Sequence, residues 1–265
     1  GWTRPSEGLD AEPGQPIGAN VRIYRELRLW VPRKNGKSEF LAALALYFWY
    51  YEALQRGEGY CFAKNEDQAR IPFTKMGDII AYSPELSGNI QCHAADLWCQ
   101  EFKTAFVLLT GKAAGKHGKA PTVTLGDEMH EWVSRELADT LRQGEAALEP
   151  IRLYASTAGL KQQGTGYGLW EESLKILDGR VQDVTKLVVI FAAPEEADWE
   201  SEETWRLANP SIGLSPTLAT LREDFNEAKE SITALAAFRR YRLNQWVEDL
   251  ERWIPLPKWD ACAPG

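Results

Sequence analysis

The sequence predicts an α/β fold of the P-loop type, with a mainly parallel central sheet flanked by helices and a C-terminal helical lid or linker subdomain. Three observations carry this. Apolar strand-like runs alternate with helix-length segments from Arg22 to Ala193, as in parallel strands joined by helical crossovers and covered on both faces. The run Val31-Pro32-Arg33-Lys34-Asn35-Gly36-Lys37-Ser38 lies between the first such strand and the first such helix, where a phosphate loop belongs. After Ala193 the periodicity is mainly helical.

Taken in order, residues 1–21 are rich in Gly, Pro and acidic side chains and carry no apolar period, so a flexible N-terminal segment is expected. The β-prone run VRIYRELRLWV gives a strand, and EFLAALALYFWYYEALQRG has helical length and a stop at Gly57. GYCFAK is a second strand, followed by a helix from Glu66 to Ala81 with Asn65 as N-cap and Pro84 beyond its end. LWCQEF and TAFVLLT read as strands, and the Gly- and Lys-rich stretch from Gly111 to Lys119 as a loop. PTVTLGDE is a buried strand, Ser134 to Ala147 a helix, IRLYASTAG a strand ending in small residues, Thr165 to Leu177 a helix and Lys186 to Ala192 a strand. Helices over Ser201 to Ala208 and Thr217 to Arg242, the latter broken near Ser231, form the lid, and the three prolines after Trp253 suggest a linker. The expected division is a flexible segment over 1–21, a core over 22–193, a lid over 194–252 and a linker over 253–265.

With 265 residues and 29.9 kDa, the chain buries roughly 70% of its unfolded surface as one compact body. The longest apolar stretch, Phe40 to Tyr51, is too short for a bilayer span. A net charge of -8 excludes a uniformly basic surface and leaves nucleic acid to a local patch. Cys61, Cys92, Cys99 and Cys262 form no CxxC pair and no leader peptide is evident, which fits a reducing, cytoplasmic setting. Cys92, His93 and Cys99 match no usual zinc spacing, so reduced thiols are the better reading. Phe48, Trp49, Trp205 and Phe238 fall at apolar-periodic positions, which favours core packing over base stacking.

A phosphate needs backbone N–H donors at a helix N-terminus, a lysine for the outer phosphates and a hydroxyl for magnesium. Gly36, Lys37 and Ser38 supply these, although Val31 stands where the usual pattern has glycine and a bare GKS also arises as a solvated turn. A hydrolytic site also needs carboxylates from a neighbouring strand end. Asp127 would position magnesium and Glu128 would activate water, against the alternative of a charge pair at a helix N-terminus. Ser156-Thr157-Ala158-Gly159 ends a strand with hydroxyls that could sense a terminal phosphate, or forms a capped turn.

In this order and with these flanks, VPRKNGKS, TLGDEMHEW and YASTAG resemble the large terminase subunit of tailed double-stranded DNA bacteriophages, and FAKNEDQARIPF, LANPSIG and FRRYRLNQW extend the likeness over about residues 22–260. The resemblance implies the ATPase half only, of the additional-strand, catalytic-glutamate (ASCE) type, hydrolysing ATP with Mg2+ to move double-stranded DNA into a prohead. It implies ATP binding by Pro32, Arg33, Lys34, Asn35, Gly36, Lys37 and Ser38, with Glu128, Arg33 and Lys37 catalytic and Arg33 as the cis arginine. It further implies magnesium at Ser38 and Asp127, coupling through Ser156 to Gly159, and a place for His130 in that network or in plain packing. Family motors use a trans-acting basic residue before the acidic strand, where this chain has Lys112, Lys116 and Lys119 and no arginine; these could equally track DNA or form a solvated turn. No segment matches the family's adenine motif, so weaker nucleotide affinity is expected. No acidic triad follows Asp260, so nuclease activity is not expected. The implied partners are duplex DNA, a portal protein, the small terminase subunit and copies of the chain in a ring, expected to be a pentamer during packaging and a monomer in isolation. The implied location is the host cytoplasm. The alternatives are a helicase-like translocase and an inactive nucleotide-binding assembly module. The basic cluster Arg239, Arg240 and Arg242 could face DNA, but a charge-paired helix face is the commoner arrangement.

Overall fold

The computed structural model describes residues 3–5, 20–52, 57–109, 120–132, 134–145, 150–161 and 164–248. Numbered along the chain, β1 (Thr3–Pro5) and β2 (Asn20–Arg22) form a small antiparallel pair. The main sheet contains β3 (Glu26–Trp30), β4 (Glu58–Phe62), β5 (Ile90–Cys92), β6 (Asp96–Cys99), β7 (Thr104–Leu108), β8 (Pro121–Gly126), β9 (Ile151–Ser156) and β10 (Lys186–Ile190). Its order is β10-β3-β9-β8-β4-β7-β6-β5, parallel from β10 to β7 and antiparallel across β6 and β5. Every residue of β3 and β9 is buried, as expected of central strands covered on both faces. Because β9 lies between β3 and β8 and all three run parallel, the segments that leave their carboxyl ends emerge side by side.

Strand alternation sends Leu27 and Leu29 of β3 to one face and Arg28 and Trp30 to the other. On the first face, α1 (Lys37–Leu46) and α2 (Glu66–Tyr82) pack Leu41, Ala45, Phe73, Met76 and Ile80 against Leu27, Leu29 and Leu153. A π-helical turn over Tyr47–Tyr51 extends α1, and Phe48 and Trp49 are buried there. On the second face, α4 (Glu136–Gln143) and α5 (Gly166–Leu177) bring Leu141 and Leu169 into a cluster with Trp30, Phe62, Trp132 and Tyr154. Trp30 meets Trp170 at 5.2 Å and 87°, and Trp246 at 6.1 Å and 61°. Its indole N–H donates to Ser173 Oγ at 3.1 Å. At the amino end of these strands a buried ion network forms, in which Glu26 pairs with Arg28 at 2.6 Å and with Arg152 at 3.0 Å. Arg28 also reaches Glu172, and Arg152 reaches Glu145.

The helical segment comprises α6 (Glu202–Ala208), α7 (Leu218–Ala228) and α8 (Ile232–Arg242), with an apolar cluster of its own around Trp205, Leu221, Phe238 and Leu243. The expected break falls at Ser231, whose hydroxyl caps α8 by accepting from Ala234 N at 3.0 Å. Asn65 caps α2 in the same way, accepting from Gln68 N at 2.9 Å. Four elements differ from the sequence reading. β1 and β2 pair within or beside the segment read as irregular, and α3 (Pro84–Asn89) with β5 follows α2 directly. Cys61 and Cys99 are buried free thiols and Cys92 is exposed. No helix among the described residues is long and apolar enough to cross a membrane.

Candidate active site at the carboxyl edge of the sheet

The loop leaving β3 holds Lys34 (φ 68) and Gly36 (φ 70) in the left-handed region on either side of Asn35. For lysine that conformation costs on the order of 1 kcal/mol. Such a turn directs successive N–H groups inward. Gly36 is the N-cap of α1 and no side chain caps the helix, so its first amides and dipole are free to meet an anion.

Lys37 is buried, and its Nζ donates to the Glu128 carboxylate and to Thr157 Oγ1 at 3.2 Å. Ser38 Oγ donates to Asp127 Oδ2 at 3.4 Å, and the other Asp127 oxygen accepts from Glu128 N at 2.9 Å. Asp127 is 2% exposed, and burial pushes its carboxyl up to about 6 despite the opposing charge of Lys37. Burial acts on Glu128 in the same sense, but there Lys37 and the adjacent His130 outweigh it and hold the carboxyl below the usual range. Glu128 itself is left-handed, at φ 51, a strained state for a residue with a Cβ. A hydroxyl and a carboxylate side by side are the hard oxygen donors that magnesium takes, so Ser38 and Asp127 fit the expected ion.

Behind this group, Ser156 Oγ donates to Thr157 O at 2.9 Å and accepts from His130 N at 2.9 Å. Its single proton is thereby committed, so the 3.0 Å contact with His130 Nδ1 places the proton on that nitrogen. His130 Nδ1 is also 3.1 Å from Glu128 Oε2. Gly166 opens α5 directly under this turn, where a Cβ would lie 2.5 Å from His130 Cα. Glu131 accepts from Gln68 Nε2 at 2.8 Å, which ties the start of α2 to the same turn.

The structure brings Lys37, Ser38, Asp127, Glu128 and Thr157 together. It directs Ser156 to His130 instead of the loop. The Arg33 guanidinium stacks 3.7 Å over the Tyr241 ring, at the rim of a cavity of about 270 Å³, while the Arg33 backbone N–H donates to Tyr241 O at 3.0 Å. Pro32 is buried and Lys34 exposed. Ala158 is gripped at both ends of its peptide groups: its N–H donates to Asn244 Oδ1 at 2.6 Å, and its carbonyl accepts from Arg240 Nε at 3.1 Å. Gly159 O accepts from Val247 N at 3.4 Å. Arg242 pairs with Asp224 at 2.6 Å, so this part of the basic cluster is committed within the protein. Lys112, Lys116 and Lys119 lie outside the described residues. Sequence reasoning weighed Arg240 only within the basic cluster and Asn244 only within FRRYRLNQW, and gave neither a role at Ala158; the available signal was an asparagine shortly after a helix, a residue type that tolerates φ 56.

The family model for the terminase large subunit, ATPase domain, matches residues 14–175. The large terminase subunit of Enterobacteria phage HK97 is 23% identical over 255 residues, which cover 94% of this chain and 48% of that protein. Protein YmfN of Escherichia coli (strain K12) is 28% identical over 156 residues, 58% of this chain and 34% of that protein. The chain thus spans half or less of the curated relatives it matches. The crystal structure of the HK97 large terminase aligns with a TM-score of 0.75 at 21% identity, over 90% of this chain and 50% of that one. A large terminase from a thermophilic bacteriophage, in complex with ATP-gamma-S, aligns with a TM-score of 0.57 at 12% identity, over 84% of this chain and 48% of that one. At these identities the structures establish a shared fold, an eight-stranded α/β sheet flanked by helices.

Proposed function

The chain belongs to the family of terminase large-subunit ATPase domains, and from that membership we propose that it hydrolyses ATP with Mg2+ to drive double-stranded DNA into a prohead. The observation that carries this reading is the meeting of Lys37, Ser38, Asp127, Glu128 and Thr157 where three parallel strands end together. The loop amides, with residues 32–38, bind the phosphates, and Lys37 trades its Glu128 partner for phosphate oxygens as nucleotide enters. Ser38 and Asp127 hold magnesium, which when bound offsets charge on the phosphates. Glu128, released from Lys37, orients water and takes its proton. Arg33 moves off Tyr241 to offset charge in the transition state. Ser156 to Gly159 carry the change outward, since His130 touches both Ser156 and Glu128, and Ala158 is held by Arg240 and Asn244.

The same proposal divides the chain into an N-terminal segment over 1–21, a core over 22–193, a helical lid over 194–252 and a linker over 253–265. It places the work in the host cytoplasm, in a homo-oligomeric ring, a pentamer, docked on a portal protein and supplied by the small terminase subunit. Lys112, Lys116 and Lys119 are assigned to a neighbouring subunit's site or to DNA. The test is Mg2+-dependent ATP hydrolysis over a range of protein concentrations, with and without duplex DNA, beside Glu128→Gln. Turnover that rises steeply with concentration and vanishes in the variant supports a ring-completed motor. Strand separation on free nucleic acid would point to a helicase-like translocase instead, and binding without any turnover to an inactive module.

A further inference from the structure

The segment Asn209 to Gly213, which follows α6, reaches the phosphate loop through one fully buried side chain. Asn209 has no solvent exposure, and all its amide positions are used. Its Nδ2 donates to Trp205 O and to Arg242 O, each at 2.8 Å, which joins the end of α6 to the end of α8. Its Oδ1 accepts from Asn35 Nδ2 at 2.8 Å, across 174 positions of sequence. Two residues on, Ser211 N donates to Asn35 Oδ1 at 3.1 Å and Ser211 Oγ donates to Asn35 O at 3.3 Å. Asn35 is therefore held by its side-chain oxygen, its side-chain nitrogen and its backbone carbonyl, all from the 209–211 segment.

Asn35 is also the residue between the two left-handed positions, Lys34 and Gly36. A loop with a lysine at φ 68 persists only where its surroundings over-determine it. The hydrogen bonds from Asn209 and Ser211 are the contacts from outside the loop that grip Asn35 itself, beside the bond from Arg33 N to Tyr241 O at 3.0 Å and supplemented by Asn35 Nδ2 to Pro32 O at 3.2 Å within the loop. Removing the Asn209 oxygen would leave a buried amide donor without its best acceptor, and removing its nitrogen would take the side-chain donor from Arg242 O, while Trp205 O would keep the bond from Asn209 N at 3.1 Å.

We infer that Asn209 is a positioning residue that sets the phosphate-binding shape of the loop through Asn35, so that nucleotide affinity depends on how α6 and α8 are seated. This rests on the ATP-binding reading of residues 32–38. By linkage, nucleotide that tightens the loop tightens the α6–α8 junction by the same factor. The clasp thus gives the helical segment a route to the phosphates that is separate from the one through Ala158.

The test is a double-mutant cycle on the full chain, read as the Kd for Mg-ATP and as kcat, with thermal melting alongside. Asn209→Ala is expected to weaken Mg-ATP binding about tenfold. In an Asn35→Ala background the same change should move Kd by less than about twofold, because the route through Asn35 is already cut. Ser211→Ala, at a half-buried position, should weaken binding about threefold with little change in melting, and keeps the test open if Asn209→Ala does not fold. Full additivity in the cycle, or an unchanged Kd in folded Ser211→Ala and Asn209→Ala, or a fall in kcat alone, would overturn the inference. A parent chain that binds no Mg-ATP would instead overturn the ATPase reading beneath it, with Lys37→Ala as the non-binding control.

Discussion

At the scale of single residues, Lys37 and Glu128 satisfy one another, and the consequences of changing either differ. Lys37→Ala removes the phosphate ligand and strips the half-buried Glu128 carboxylate of its main partner, so ATP binding should be abolished. Glu128→Gln keeps an oxygen for Lys37 and should retain binding while turnover falls by about 10²- to 10⁴-fold. Isothermal titration beside a phosphate-release assay separates the two, and equal loss of binding in both variants would contradict this division. Arg33 is exposed and stacks on Tyr241. Such a contact is worth about 0.5–1 kcal/mol, so Arg33→Ala should leave the melting temperature nearly unchanged and slow hydrolysis. Unchanged turnover would remove Arg33 from the chemistry.

At the scale of elements, α5 can lie under the turn carrying His130 because its first residue has no side chain. Gly166→Ala would press a methyl to 2.5 Å of His130 Cα and 2.7 Å of Met129 O, both backbone atoms that yield little. We expect a loss of about 1–3 kcal/mol in thermal or urea unfolding, with turnover reduced in the surviving folded fraction because Glu128 rests on His130. These tight fits also mark what the sequence could and could not disclose. Strand and helix alternation was legible from β3 onward because buried strands and capped helices leave local patterns: Asn65 and Ser231 cap as their sequence context indicates. α3 was missed although Ser83 and Pro84 carry an N-cap and first-turn signal, because six residues are too few for a periodic face. β1 and β2 pair across a stretch with no pattern of its own. In the site, Lys37, Ser38, Asp127 and Glu128 were legible because the first two open the helix after a strand and the last two directly follow a strand, each pair in a recognisable motif. Asn209, Arg240 and Asn244 were not, since their partners lie 82 to 174 positions away and nothing local encodes a partner at that distance.

At the scale of the whole molecule, the carboxyl edge of the sheet carries the reaction groups and the amino edge carries the ion network around Glu26. Burial would raise the Glu26 carboxyl, but Arg28 and Arg152 outweigh it and hold it below its ordinary value of 4.5. A lowered folded-state value means stability that is present above pH 4.5 and lost as pH falls through the folded value. Urea titrations from pH 7 downward should show that loss. Glu26→Gln leaves two buried guanidinium groups short of a counter-charge and should cost about 3–5 kcal/mol at pH 7, with the gap to the parent narrowing in acid. A gap that stays constant to pH 3 would show that Glu26 acts by packing alone.

The three indoles around Trp30 join parts of the chain that are far apart in sequence: Trp30 ends the strand feeding the phosphate loop, Trp170 lies on α5, and Trp246 follows α8. Rings this close and this steeply inclined couple their electronic transitions, so the protein carries an optical gauge in its near-ultraviolet circular dichroism. If the helical segment shifts during the ATPase cycle, Trp246 moves with it, and the signal should change without any attached dye.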